Sequence, residues 1–200
     1  RAVAAKGYAD TTIADIVREA AVSRRTFYEH FGTKADCLMA LYEAASHNAL
    51  NVLRDAIDPS HEWQTQVERA LSAYLACMAG NPVLMRTLFI EILGLGAPGL
   101  AARRRVNQEI ADFMLGVIQK GLTPQMATAV VGGINELVLQ YIEQDRVASL
   151  GGSREALAHS QLLLIMGDDK AGGSLRLCGT GQGAGVAVRW KNASRNPTLT

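Results

Sequence analysis

Apolar positions along the chain recur at the helical period, β-branched runs are short, and alanine and leucine dominate, so nearly everything up to about residue 166 is predicted to be helical. A stub over 1–6 stops at Gly7, a C-terminal cap. Thr12-x-x-Asp15 is a capping box: the hydroxyl accepts from an orphan amide and the carboxylate returns the bond, which opens a second helix. A third runs from Ser23 to about His30. The box Thr33-x-x-Asp36 opens a fourth, which continues without Gly or Pro to about Ile57 and ends at Asp58-Pro59.

Beyond that point the helices are longer and more apolar, which implies a second, larger domain joined through the fourth helix. Residues 60–79 carry Val67, Leu71, Tyr74, Leu75 and Met78 on one face, and 98–120 carry Ile110, Phe113, Met114, Val117 and Ile118 on another. Between them a sixth helix is bracketed by Pro82 and the Gly94, Gly96, Pro98, Gly99 cluster. Thr123-Pro124 starts the eighth, apolar across more than one stripe through Val130, Val131, Ile134, Leu137, Val138, Tyr141 and Ile142, so it needs two burial partners. Gly151-Gly152-Ser153 leads into a ninth over 153–166. The expected division is 1–42, 43–166 and a Gly-rich tail, 167–200, where neither period survives and disorder is expected. Gly179-Thr180-Gly181-Gln182-Gly183-Ala184 formally fits a dinucleotide fingerprint, but the residues after it are too few for the βαβ unit that such a site requires.

Composition narrows the classes. The 200 residues are 48% hydrophobic, and no run approaches the roughly 20 apolar residues of a membrane span, nor does the N-terminus resemble a signal peptide. The expectation is a cytoplasmic protein without a membrane partner. Cys37, Cys77 and Cys178 are odd in number and far apart, which gives no disulfide framework and no C-x-x-C site. Net charge is +1, and over residues 1–34 six basic residues face four acidic ones. Bulk electrostatics therefore offers little, and any nucleic-acid argument must be geometric.

The geometry is in Thr12–Lys34. Two short capped helices are separated by a turn of about three residues, with Ile13, Ile16 and Val17 on the inner face of the first. Val22, Phe27 and Phe31 are expected to complete a small apolar cluster. That leaves Arg24, Arg25, Thr26, Tyr28 and His30 on the opposite face of the second helix. A helix in the major groove touches base edges mainly through its first residues, and arginine pairs bidentately with guanine. Lys34, in the first turn of the following helix, is placed for a phosphate.

This stretch resembles the TetR family signature, with Gly7-Tyr8 before a Thr-capped helix and then Thr26-Phe27-Tyr28-Glu29-His30-Phe31-Gly32-Thr33-Lys34. Gly132-Gly133-Ile134-Asn135-Glu136-Leu137-Val138 is similar to the family's eighth helix, and successive glycines there imply close helix approach. The resemblance, which covers about 1–166, implies an all-α fold of nine helices: an N-terminal helix-turn-helix DNA-binding domain and a larger domain for ligand binding and dimerisation. It implies base contacts from Arg24 and Arg25, base or phosphate contacts from Thr26 and Tyr28, and phosphate contacts from Thr12, His30 and Lys34. For the arginines the competing reading is a solvated helix start, and for His30 a surface histidine. The partners implied are a double-stranded, palindromic DNA operator, a second copy packed through helices at about 124–146 and 153–166, and a small effector. Its candidate lining is Trp63, Tyr74, Met78, Met85, Phe89, Phe113 and Met114, residues that would serve equally as plain core. Few charges lie among them, which favours an apolar or aromatic effector whose binding releases a repressor from DNA. No cofactor and no metal are expected.

The chain departs from the pattern in places. Ala21 stands where the family carries a turn glycine, and a positive φ there would cost on the order of 1 kcal/mol. Val17 replaces an alanine, Val3 stands where phenylalanine is common, and a short first helix together with a start at arginine is read as a fragment or truncation. The tail has no family counterpart, and an altered reading frame is one reading of it. An all-α enzyme is the competing class, but His30, His47, His61 and His159 never show metal-ligand spacing and no nucleophile elbow occurs. The other alternative is a dimerising protein whose shortened N-terminal domain no longer binds DNA.

Overall fold

The computed structural model describes residues 1–118 and 122–152, and the regular structure among them is entirely helical. Eight α-helices follow in order: α1 (Ala2–Lys6), α2 (Ile13–Glu19), α3 (Arg24–His30), α4 (Lys34–Asp55), α5 (Trp63–Ala79), α6 (Pro82–Phe89), α7 (Ala97–Val117) and α8 (Pro124–Glu143). Short 3-10 helices lie at Glu91–Leu95 and Val147–Gly152. The expected ninth helix, the tail, His159 and Cys178 fall outside the described residues.

Helix starts are where side-chain chemistry dictates them. Thr12 and Thr33 both form reciprocal capping boxes, with Asp15 and Asp36. Ser23, Asn81 and Thr123 cap α3, α6 and α8 through single bonds to the third amide of each helix, and Pro82 and Pro124 occupy first positions where no amide is needed. The sixth segment differs from expectation. After Phe89 the chain tightens into the Glu91–Leu95 3-10 helix instead of continuing, and α7 begins directly against it. A Cβ built on Gly99 would lie 2.0 Å from the Ile92 carbonyl oxygen, so only glycine permits that approach. The Gly151-Gly152 segment also folds as a 3-10 turn rather than a plain linker. It packs on α5, with the Gly151 Cβ position 3.1 Å from the Ala76 Cα.

The main core runs from Leu38 in α4 to Leu150 and draws on every helix from α4 to α8. Along α8, Val130, Val131, Ile134, Val138, Tyr141 and Ile142 are all buried, more than one stripe can account for. Val17 and Phe27 are buried outside this cluster and form the small core of the N-terminal helices. Each such side chain contributes on the order of 1.5–3 kcal/mol. Phe31 is half-buried with its ring 5.5 Å from that of Phe27, whereas Val22 is 43% exposed, contrary to the expectation that it joins the cluster. The turn chemistry accounts for this. Ala21 has φ +53°, its amide bonds to the Arg18 carbonyl, and the Val22 amide reaches the Val17 carbonyl at 3.0 Å, the hydrogen-bond pair of a Schellman cap. Val22 is thus placed by its backbone, and its side chain stays at the surface.

Candidate functional site

The second helix of the helix-turn-helix, α3, is an exposed rod anchored from beneath. Phe27 faces inward at 4% exposure, and the ring of Tyr28 stands edge-on to it at 5.5 Å, itself 52% exposed. Arg24, Arg25 and His30 are exposed. Arg24 makes no ion pair among the described residues, and Arg25 Nε donates to Glu29 Oε1 at 3.1 Å, a solvent-exposed i,i+4 pair. Such a pair contributes only about 0.3–0.5 kcal/mol, so it yields readily to a stronger partner. Thr26 is half-buried; its amide bonds Ser23 Oγ at 3.0 Å and its hydroxyl lies 2.9 Å from the same oxygen. Both arginines point away from the protein's own body, and α3 is fully wound from its cap to His30.

Two residues assigned to phosphate have internal partners. Thr12 Oγ1 donates to Asp15 Oδ2 at 2.7 Å and accepts from the Asp15 amide at 3.2 Å, both within the capping box. Lys34 Nζ donates to the carbonyl oxygens of Tyr8 at 2.6 Å, Thr11 at 2.7 Å and Ala9 at 3.3 Å, and lies 4.3 Å from the Tyr8 ring centroid. The ammonium has three hydrogens and three carbonyls to receive them. Spacing alone could not show this, because the loop it closes is more than twenty residues distant in the chain.

That loop is also tied to the body. The Tyr8 amide donates to Glu91 Oε2 at 2.6 Å, and the Tyr8 ring lies on Gly94, where a Cβ would come within 3.3 Å of Cδ1. Gly7, at φ +81°, turns the chain into this contact. Asp15 gathers Lys6 at 2.7 Å and Arg18, joining α1 to α2, and the Lys6 and Thr12 hydrogen bonds hold its carboxyl well below the usual carboxylate range.

Behind α4 lies a cavity of about 390 Å³, between α4, α5, α6, α7 and α8. Its wall carries Tyr74, Met78, Met85 and Phe89 from the expected set. A tighter chamber of about 50 Å³ shares Tyr74, Ile110 and Asn135 with it and is lined by Phe113 and Met114. Trp63 borders neither and packs against the core. Residues that the sequence did not single out are Tyr42, Ser46, Arg103, Asn107 and Asn135. Asn135, 5% exposed within the otherwise apolar inner face of α8, donates to Asn107 Oδ1 at 2.9 Å. A polar residue there was the available signal. Burial pushes the Tyr74 hydroxyl well above its usual value and keeps it neutral. Among the described residues, no group of three or more His, Cys, Asp or Glu could hold a metal ion.

Residues 1–41 match the family described as bacterial regulatory proteins, tetR family, a span that ends at the eighth residue of α4. The chain is 24% identical over 177 positions to the fatty acid metabolism regulator protein of Bacillus subtilis strain 168, covering 82% of this chain and 88% of that protein. It is 29% identical over 77 residues to the uncharacterized HTH-type transcriptional regulator YxbF of the same organism, of whose length that match covers 20%. The fatty acid degradation regulator FadR of Bacillus halodurans shares the fold at a TM-score of 0.70 and 16% identity, over 82% of this chain and 92% of that one. A TetR-like transcriptional regulator from Rhodococcus sp. RHA1 does so at 0.60 and 22%, over 81% and 85%. The capped helix-turn-helix lies inside the span that matches the tetR family of bacterial regulatory proteins, and the all-α architecture beyond it is the fold shared with TetR-like transcriptional regulators.

Proposed function

We propose that the chain is a ligand-responsive repressor which, as a cytoplasmic homodimer, sets α3 of each copy into successive major grooves of a palindromic operator and is released by a small apolar effector. The observation that carries this reading is α3 itself, a helix capped by Ser23, held by the buried Phe27 and presenting Arg24, Arg25, Tyr28 and His30 to solvent. Dimerisation through α8 is supported by its outer face, where Ala129, Gly132, Glu136 and Gln140 are exposed and a Cβ on Gly132 would meet nothing within 4 Å. A partner helix can approach closely there. The second helix assigned to that interface, over 153–166, lies outside the described residues.

The switch runs through α4. Its first residue, Lys34, holds the loop before α2, and its next turns give Tyr42, Ser46 and Ala49 to the cavity wall. An effector that wedges the cavity open would displace α4 and change the separation of the two recognition helices, which must be roughly 34–36 Å. The names of the fatty-acid regulators similar to this chain support an acyl-bearing effector and control of genes of fatty acid metabolism. The test is binding of selected genomic fragments. Arg25→Ala should weaken operator binding by about 1–3 kcal/mol and relax preference at one base pair. A dimer that binds every fragment with the same weak affinity would refute the repressor reading and favour a dimerising protein without operator recognition.

A further inference from the structure

We propose that the large cavity is built for an amphiphile with an anionic head: Arg103 receives the head at the mouth, and the chain runs inward past Tyr74 and Ile110 toward the narrow chamber. This deepens the reading of the cavity as an effector site and rests on it. Three arginines follow one another on α7, and they differ. Arg105 donates to Glu43 at 2.8 Å and Arg104 is exposed, whereas Arg103 is half-buried, lines the cavity and has no carboxylate partner among the described residues. A guanidinium lining a cavity without a counter-ion is a strong site for a carboxylate or phosphate, which it can grip through two parallel hydrogen bonds.

The remaining lining gives the ligand its direction. Polar side chains of the larger cavity include Ser46 and Asn48 on α4 and Asn81 before α6, and Arg103 and Ser46 both act on the Tyr42 hydroxyl. By contrast, the walls of the 50 Å³ chamber are apolar apart from Tyr74 and Asn135. A charged head placed there would lose its hydration without a cationic partner, so the head belongs at the rim and the hydrocarbon within. The larger volume, about 390 Å³, falls inside the range of roughly 300–1,000 Å³ usual for small-molecule sites. Phe113 and Met114 line the narrow chamber, and a methionine side chain adapts easily to a ligand.

The test uses the whole chain and four probes of one chain length: laurate, lauryl phosphate, methyl laurate and dodecanol, titrated by calorimetry into wild type, Arg103→Gln and Arg104→Gln. Laurate or lauryl phosphate should bind wild type more tightly than the two neutral probes. Arg103→Gln should weaken that anion by about ten- to hundredfold while leaving methyl laurate within about twofold, and Arg104→Gln should leave all four unchanged. Whichever anion shows the dependence identifies the head as carboxylate or phosphate. Equal binding of charged and neutral probes, with no effect of Arg103→Gln, overturns the head-group assignment and leaves an apolar effector site standing. No binding of any probe overturns both. Unchanged thermal unfolding of Arg103→Gln separates loss of the contact from loss of the fold.

Discussion

Lys34→Met separates two roles that sequence alone cannot. The substitution keeps the aliphatic stem and removes the ammonium that donates to the Tyr8, Thr11 and Ala9 carbonyls at 2.6, 2.7 and 3.3 Å. A hydrogen bond from a charged donor contributes about 1.5–3 kcal/mol when its partner would otherwise be left bare. Lys34 is only half-buried and the Ala9 bond is long and exposed, so water replaces much of that term, and the two short bonds dominate. Adding a modest share for the Tyr8 ring, the expected loss is about 2–3 kcal/mol of local stability, confined to the N-terminal helices. Native-state hydrogen exchange reads it directly: the amides of Phe27 and Phe31, which bond to Ser23 and Phe27, should exchange about thirty- to hundredfold faster, while those of α8 do not change. DNA binding supplies the second readout. A lysine that neutralises a phosphate lowers the slope of log K against log salt by about 0.9, whereas one occupied within the protein leaves the slope unchanged even as affinity falls. A slope reduced by about 0.9 with unaltered exchange would refute the clamp and restore Lys34 as a phosphate contact.

Ala21→Gly should stabilise the protein. Relief of the left-handed backbone at φ +53° is worth about 1–2 kcal/mol, against about 0.4–1 for the freer unfolded chain, for a net gain of about 0.5–1 kcal/mol in urea unfolding. A loss of stability would show that the turn is not strained. The folded state holds the Asp15 carboxyl well below its ordinary value of 3.8, so it binds a proton less readily than the unfolded chain does. Its contribution is therefore complete above that value and fades as pH falls through the folded one, and Asp15→Asn should flatten the acid limb of stability against pH. An unchanged acid limb would contradict this. Gly94→Val places a branched side chain where even a lone Cβ would come within 3.3 Å of Tyr8 Cδ1, so exchange of amides in residues 1–12 should accelerate while α5 stays protected. Unaltered exchange there would mean that the Tyr8 contact does not tether the N-terminal segment.

What was legible in the sequence was local. Thr12, Ser23, Thr33 and Thr123 each signal a helix start through bonds that span three residues, and each forms the cap expected of it. The inward turn of Phe27 and the outward turn of Arg24 and Arg25 follow from the helical period in the same way. The strain at Ala21 was readable through the resemblance, which implies a glycine at that turn position, and Ala21 indeed has φ +53°. Contacts that depend on distant packing were not readable. Glu91 meets the Tyr8 amide across 83 positions, and nothing near either residue announces it. The same contact accompanies the break after Phe89, where an unbroken sixth helix had been the natural expectation. Arg103 lies in a run of three arginines with no pattern to set it apart, and only the packing of α7 distinguishes it, half-buried at the cavity, from the exposed Arg104. Trp63 illustrates the reverse error, since a large aromatic residue at a helix start fits a pocket or a core equally well until the neighbouring helices are known.

Entry of α3 into a DNA groove, read through its leading arginines, is what the function proposed here requires. Hydroxyl-radical footprinting of the chain on its selected genomic fragment, with wild type beside Arg24→Ala and Arg25→Ala, reads that entry at single-nucleotide level. Two symmetric protected patches centred one helical turn or a multiple of it apart are expected, with each variant losing protection and base preference at particular positions of both half-sites. Uniform protection without a two-fold pattern, unaffected by either substitution, would contradict it.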